Sequence, residues 1–326
     1  MVSLMGLMFA LVLDFIFSEA KRFHPLVGFG NLATFVEHRL NRRQPSKALG
    51  ILAYVLVVVP IVVLFVFMDV LLAFYFQDNI YVETLFSGLI LYLAIGWRSL
   101  LQHAQAISKP LKIRDLKSAR YAVSMIVSRD TQALDEAGIA SAATESILEN
   151  GADAIFSTIF WFLIAGVPGV VLYRLSNTLD AMWGYKTERF LHFGWAAARI
   201  DDVLNFIPAR LTALSYALLG NTRLAFQCWN LQGRRWKSPN AGPVMAAGAG
   251  ALSVSLGGAA PYHGQWQERP ALGPPLDKTE SGKSMALKPS AQSIEQACQL
   301  VNNTLCLWLV VLLASVLIPL FSLGSV

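Results

Sequence analysis

Two runs of the chain are too long and too apolar to belong to an ordinary water-soluble core. Ala48 to Phe76 is interrupted only by Asp69, and Gln296 to Val326 carries no charge. At about 1.5 Å per helical residue, each is long enough to cross a hydrocarbon layer of roughly 30 Å. A helix satisfies all its own peptide groups inside lipid, so both runs predict membrane-spanning α-helices. Met1 to Phe17 is a shorter apolar run that holds Asp14; no basic residue precedes it, and Lys21 and Arg22 follow it. That charge order reverses a cleavable signal peptide and suits a retained first helix. Ile80 to Leu101 makes a fourth candidate, with Glu83 and Arg98 placed at the interfaces. Hydrophobic residues form 55% of the 326 positions and charged residues 14%, which agrees with a bilayer protein.

All 26 Lys and Arg residues fall in two blocks, from Lys21 to Lys47 and from Arg98 to Lys288. The positive-inside rule puts both blocks in the cytoplasm and both termini outside, giving four spans near residues 1–20, 48–76, 80–101 and 300–322 of a multi-pass protein of the cytoplasmic (inner) membrane. Three further apolar stretches, Ile155 to Tyr173, Val203 to Leu219 and Ala241 to Ala260, are broken by Pro168 and Gly169, by Pro208 and Arg210, and by clustered Gly and Ala. These predict re-entrant or interfacial helices, since broken backbone at membrane depth needs protein or a wet cavity around it.

The expected fold is all-α and polytopic, with about four full spans, re-entrant or interfacial helices and a large cytoplasm-facing polar region. It is read as one membrane-embedded domain over 1–326, with a catalytic core region at 98–263, a flexible linker-like loop at 265–290 and a C-terminal membrane helix at 296–326. The net charge of +5 comes without a basic stripe interleaved with exposed aromatics, which speaks against a nucleic-acid partner. Cys228, Cys298 and Cys306 form no CxxC pair and read as small buried hydrophobes.

The chemistry concentrates in three segments. From Asp130, "DTQALDEAGIASAATESILENGADAIF" reads as an amphipathic helix capped by Asp130, with Glu145, Glu149 and Asp153 recurring every four residues on one face. Three aligned acids repel one another unless cations compensate, so the face is either a divalent-metal site, with Mg²⁺ the natural occupant, or a solvated face paired with Lys or Arg. From Tyr173, Asp180, Asp201, Asp202, Arg174, Arg199 and Arg210 alternate with aromatic residues against membrane-buried sequence, where ionisable groups mark function by default. Arg210, two residues after Pro208, is the leading anion-binding cation, with neutralisation of Asp201 or Asp202 the alternative. The third segment begins at Trp236. Its Lys237, Ser238 and Asn240 lead into a Gly-rich element that can present backbone N–H groups to an anion, although it has no Walker A spacing. His24 and His263 stand beside Pro and Gly turns as secondary candidates. The acids and guanidinium groups are expected to converge in one cavity facing the cell interior.

Taken together, "EAKRFHPLVGFG", the segment from Asp130, "NTLDAMWGY", "ERFLHFGWAAARIDDVLNFIPARLTAL", "SPNAGPVMAAGAGAL" and "LGGAAPYHG" resemble the CobD/CbiB family of cobalamin biosynthesis, in the family's order from about Asp14 to His263. The resemblance implies adenosylcobinamide-phosphate synthase activity. In that reaction a carboxylate of adenosylcobyric acid is joined to the amine of aminopropanol phosphate, with ATP and Mg²⁺ as the implied cofactors. On that footing Glu145, Glu149 and Asp153 are candidates for holding Mg²⁺. Asp180, Asp201, Asp202, Arg210 and His263 are candidates for catalysis, and Arg174, Arg199, Lys237, Ser238 and Asn240 for binding phosphate. Two rival classes are a membrane prenyl- or phosphotransferase, for which "ESILENGAD" is a poor match to paired Asp-rich motifs, and an AmpE-like sensory membrane protein, which has no use for the acid and Arg constellation.

Overall fold

The structure, a computed structural model, describes residues 2–19, 24–42, 45–77, 79–262, 264–276 and 286–323. Thirteen α-helices account for most of the described residues: α1 (Val2–Phe17), α2 (Pro25–Leu40), α3 (Lys47–Phe76), α4 (Ile80–Ala94), α5 (Trp97–Lys112), α6 (Leu116–Ser124), α7 (Glu136–Gly151), α8 (Ser157–Trp183), α9 (Trp195–Leu204), α10 (Phe206–Leu219), α11 (Thr222–Gln232), α12 (Ala241–Ala251) and α13 (Ala291–Leu323). Two short antiparallel ladders lie between α12 and α13. Strand β1 (Leu256–Gly257) pairs with β4 (Ala271–Leu272), and β2 (Ala260–Tyr262) pairs with β3 (Gln265–Gln267). Four helical stretches, Lys47–Phe76, Ile80–Lys112, Glu136–Trp183 and Ala291–Ile318, are long and apolar enough to cross a membrane, so the protein is a polytopic all-α membrane protein.

The set of four differs from the sequence expectation at its first member. Helix α1 has 16 residues, about 24 Å, short of a full crossing, and Glu136–Trp183 takes its place. That stretch nevertheless doubles back. Inside α8, Ala165 (φ −135°, ψ 19°) and Gly166 (φ 58°, ψ −146°) leave helical geometry. Gly166 occupies a region open essentially only to glycine, and Pro168 cannot supply the N–H that a continuing helix would need. A Cβ on Gly169 would sit 2.6 Å from the Trp161 carbonyl oxygen, and the Tyr173 hydroxyl donates to the Asp153 carbonyl at 2.8 Å. In a straight helix those last two residues would stand about 30 Å apart. The re-entrant element expected at Ile155 to Tyr173 is therefore a helical hairpin. The other two broken stretches give α10, 14 residues, and α12, 11 residues, about 21 Å and 17 Å long and too short to span.

The chain divides into two compact units, Met1–Arg98 with Asp153–Asn205, and Ser99–Ala152 with Phe206–Val326. In the first, α1 packs on α4, and α8 packs on α3, α4 and α9. The expected single span from Ile80 to Leu101 is two helices, because Ile95 is extended and Gly96 donates to the Ala154 carbonyl at 3.2 Å. Asp14, buried in the apolar α1, accepts from the Arg98 backbone N–H at 2.7 Å and so caps the restart. Glu37 at the end of α2 takes a bidentate fork from Arg189 at 2.6 and 3.0 Å, which ties the loop after α8 to α2.

In the second unit every residue of α12 is buried. Its small residues permit the close approach this requires: a Cβ on Gly250 would meet the Ala225 Cα at 2.6 Å. Tyr216 of α10 donates to the Leu148 carbonyl of α7 at 3.2 Å, and Thr144 of α7 shares a 3.0 Å hydrogen bond with Ser293 of α13. These contacts fix the helices that carry the second unit's acids and guanidinium groups.

Candidate functional site

Each unit holds its own polar cluster. In the second, Glu145 is 2% exposed and its carboxylate is saturated. It accepts from Arg129 at 2.6 Å, from Arg269 at 3.0 and 3.3 Å, from Ser141 Oγ at 3.0 Å and from the Gly257 backbone N–H at 3.0 Å. Arg269 is itself held, donating from Nε to the Gly258 carbonyl at 3.0 Å with its guanidinium 5.3 Å from the centre of the Trp236 ring. The compensation that the sequence leaves to a metal or to basic partners is supplied for Glu145 by two guanidinium groups. Glu149 follows one turn later on α7. Asp153 lies in a π-helical turn, Ala152–Phe156, that follows α7. Among the described residues no group of three or more His, Cys, Asp or Glu side chains is placed to hold a metal ion, so they do not fit a cage of protein ligands for Mg²⁺.

The segment expected to begin its helix at Asp130 starts later. Asp135 caps α7 by accepting from the Gly138 N–H at 2.8 Å. Asp130 instead holds the β2–β3 turn, donating from its backbone N–H to the Pro261 carbonyl at 3.0 Å and accepting from the Gly264 N–H at 2.6 Å. His263, in that turn, lies outside the described residues.

Arg210 is positioned by its own helix and by the start of α12. Its Nη1 donates to the Phe206 carbonyl at 3.0 Å and to Asn240 Oδ1, and its Nη2 donates to the Pro239 carbonyl at 2.9 Å. The Phe206 ring lies 3.8 Å from the guanidinium carbon. An arginine has five N–H donors, and among the described residues these three bonds leave one Nη2 proton and Nε–H, the side on which a guanidinium can grip an anion with two hydrogen bonds. Ser238 Oγ accepts from the Asn240 and Ala241 N–H groups at 3.3 and 3.1 Å and caps α12, while Lys237 is exposed. Of the predicted phosphate-binding residues, Asn240 and Ser238 thus build the Arg210 seat. Arg210 lies six residues, about 9 Å, from Tyr216, whose hydroxyl touches the carbonyl of Leu148 beside Glu149.

In the first unit Asp201 is 8% exposed and accepts from Asn177 Nδ2 at 3.2 Å and from Asn205 Nδ2 at 3.1 Å on both oxygens. Asn205 Oδ1 accepts in turn from Ser157 at 2.7 Å and Tyr173 at 3.0 Å, so the hairpin and α9 share one buried network. Burial pushes the Asp201 carboxyl up to about 6, against the two amides that stabilise its charge. Asp202, next in sequence, points elsewhere, with its carboxylate 3.5 Å from exposed Arg199. The Asp180 carbonyl closes α8 by accepting from the Gly184 N–H at 2.7 Å. Arg174 donates from Nη1 to Asn177 Oδ1 at 3.3 Å and lines an apolar cavity. Sequence reasoning missed Arg129 and Arg269, which lie outside the quoted segments, and Asn177, Asn205 and Tyr173, which lie in or beside segments singled out for their charged residues. A Pro- and Gly-rich loop gives no sign that its one Arg before Lys278 reaches a buried carboxylate.

The raised Asp201 carboxyl makes stability depend on pH. Its folded value near 6 lies above the roughly 3.9 of an unfolded aspartate, so its contribution is complete below about pH 4 and is lost as pH rises through about 6. Asp201→Asn is expected to raise the unfolding temperature in detergent at pH 7.5 and to flatten its decline between pH 4 and 6. Equal destabilisation at both pH values would show that the carboxylate's hydrogen bonds, and not its charge, dominate.

Comparison with known proteins places this arrangement. The family model described as CobD/Cbib protein matches residues 7–301. A cobalamin biosynthesis protein CobD of Chromobacterium violaceum is 49% identical over 325 residues, 98% of each chain. One of Stutzerimonas stutzeri is 52% identical over 306 residues, 93% of this chain and 95% of its own. A probable one of the archaeon Methanothermobacter thermautotrophicus is 36% identical over 298 residues, 88% of this chain and 93% of its own. No solved structure matches. A family match over nearly the whole of a membrane-embedded helical chain, joined to relatives that cover it almost end to end, means that the chain belongs to the CobD/Cbib family of cobalamin biosynthesis proteins.

Proposed function

We propose that the protein is the membrane enzyme that joins a side-chain carboxylate of adenosylcobyric acid to the amine of aminopropanol phosphate, driven by ATP, to give adenosylcobinamide phosphate. Family membership across residues 7–301 supports the pathway. The observation that carries the chemistry is Arg210, a guanidinium locked by three hydrogen bonds and an aromatic ring with one two-donor edge left over.

An amide does not form from a carboxylate and an amine in water without activation. A carboxylate oxygen attacks the γ-phosphorus of ATP and the bond to ADP breaks, leaving an acyl phosphate. The amine nitrogen then attacks the acyl carbon, loses a proton, and the C–O bond to phosphate breaks. Arg210 is assigned to grip the phosphoryl oxygens as their charge develops. The proton that the amine loses passes to water. Glu149 is assigned to the nucleotide side. The basic blocks favour the cytoplasmic side of the membrane for this chemistry.

Purified protein in detergent, given adenosylcobyric acid, ATP, Mg²⁺ and aminopropanol phosphate, is expected to yield the conjugate by mass spectrometry, with none when ATP is omitted. A monodisperse, folded sample that makes no conjugate would remove this reading.

A further inference from the structure

Within the first unit, α2, α3, α4 and the returning arm of α8 enclose a cavity of about 300 Å³ whose lining is apolar apart from Arg174. Its walls include Phe29 of α2, Ile61 and Phe65 of α3, and Ala94 of α4. Ile61 and Phe65 sit at the middle of a 30-residue apolar helix long enough to cross a membrane, whereas Ala94 ends α4 four residues before Arg98, a residue type that favours the interface. The cavity therefore runs from headgroup depth into the hydrocarbon, and among the described residues its lining carries one cation, Arg174. Arg174 donates to Asn177, and its buried Nε has no hydrogen-bond partner among the described residues. A buried guanidinium N–H is costly to leave unpaired. Val27 and Leu32 of α2 are exposed beside the opening, on a protein whose neighbours in that zone are lipids.

We propose that this cavity is a phospholipid site: one acyl chain fills the apolar part and the lipid's phosphodiester pairs with Arg174. The shape suits a chain and the charge suits an anion; neither alone would specify a phospholipid. The guanidinium matches phosphate oxygens through paired N–H donors, and its aliphatic stem lies along the apolar wall. Gly28 gives a means of closing the site, since a Cβ there meets nothing within 4 Å and a larger side chain grows into open space without disturbing the packing.

The test uses the full-length protein in detergent and phosphatidylglycerol carrying a diazirine in one acyl chain, with labelled peptides mapped after illumination. Labelling is expected on the α3 wall around Ile61 and Phe65, displaced by unlabelled phosphatidylglycerol and about tenfold less well by diacylglycerol of the same chains, the ratio set by one charge-assisted interaction. Arg174→Gln is expected to lower labelling about tenfold, and Gly28→Leu to abolish it in a protein that still elutes as a single species. Should Arg174→Gln fail to fold, the Gly28→Leu result decides. Labelling that both variants retain, or that diacylglycerol displaces as well as phosphatidylglycerol, would overturn the site. Displacement by inorganic phosphate alone would overturn it in favour of a free-phosphate site.

Discussion

Arg269→Met will unfold at a markedly lower temperature than the parent protein in the same detergent, with a loss of about 3–5 kcal/mol, the usual cost of stripping one partner from a buried ion pair. Glu145 is 2% exposed, and the side chains of Arg129 and Arg269 are 10% and 7% exposed. Solvent cannot replace the lost guanidinium, and Arg129 alone covers only one of the two carboxylate oxygens. The double variant Arg269→Met with Glu145→Gln is expected to be less destabilised than Arg269→Met alone, because it removes the uncompensated charge that carries the penalty. A loss no greater than that of Arg199→Met, whose pair is largely solvated, would show that Glu145 finds another partner.

Arg210→Lys will lower the specificity constant for conjugate formation by about 10²–10³, the range lost when one preorganised donor to a developing charge is removed. Lysine keeps the charge. It cannot reproduce a planar fork seated on the Phe206 ring, nor hold three anchoring bonds while offering two parallel donors. The fall is expected chiefly in kcat, while Asn240→Ala, which loosens the seat and leaves the fork, is expected to cost about tenfold. Activity within about threefold of the parent in Arg210→Lys would remove Arg210 from the chemistry.

Much of the fold was legible because hydrophobic run length reports bilayer crossing directly. The spans α3 and α13 appear where Ala48 to Phe76 and Gln296 to Val326 place them. The hairpin was legible through Pro168, although the reversal falls two residues earlier, at Gly166, whose positive φ suits a residue without a Cβ. The break at Ile95 and Gly96 was not, since a buried Asp14 from a distant helix caps the restart and no local signal announces it. The candidate site divides in the same way. Arg210 and Asn240 were singled out from sequence and the fold brings them together. The Arg129 and Arg269 partners of Glu145 come from loops 16 and 124 residues away, and a helical repeat of acids cannot reveal which cations reach it. Of the expected i, i+4 trio, Glu145 and Glu149 lie on α7, and Asp153 lies in the π-helical turn Ala152–Phe156, which no sequence period announces.

The acyl-phosphate route makes one demand on the atoms. Adenosylcobyric acid labelled with ¹⁸O in both oxygens of the reacting carboxylate should give up one label to inorganic phosphate for each amide formed and keep the other in the amide carbonyl. Label appearing in AMP, or phosphate released without label while the conjugate forms, would contradict the mechanism.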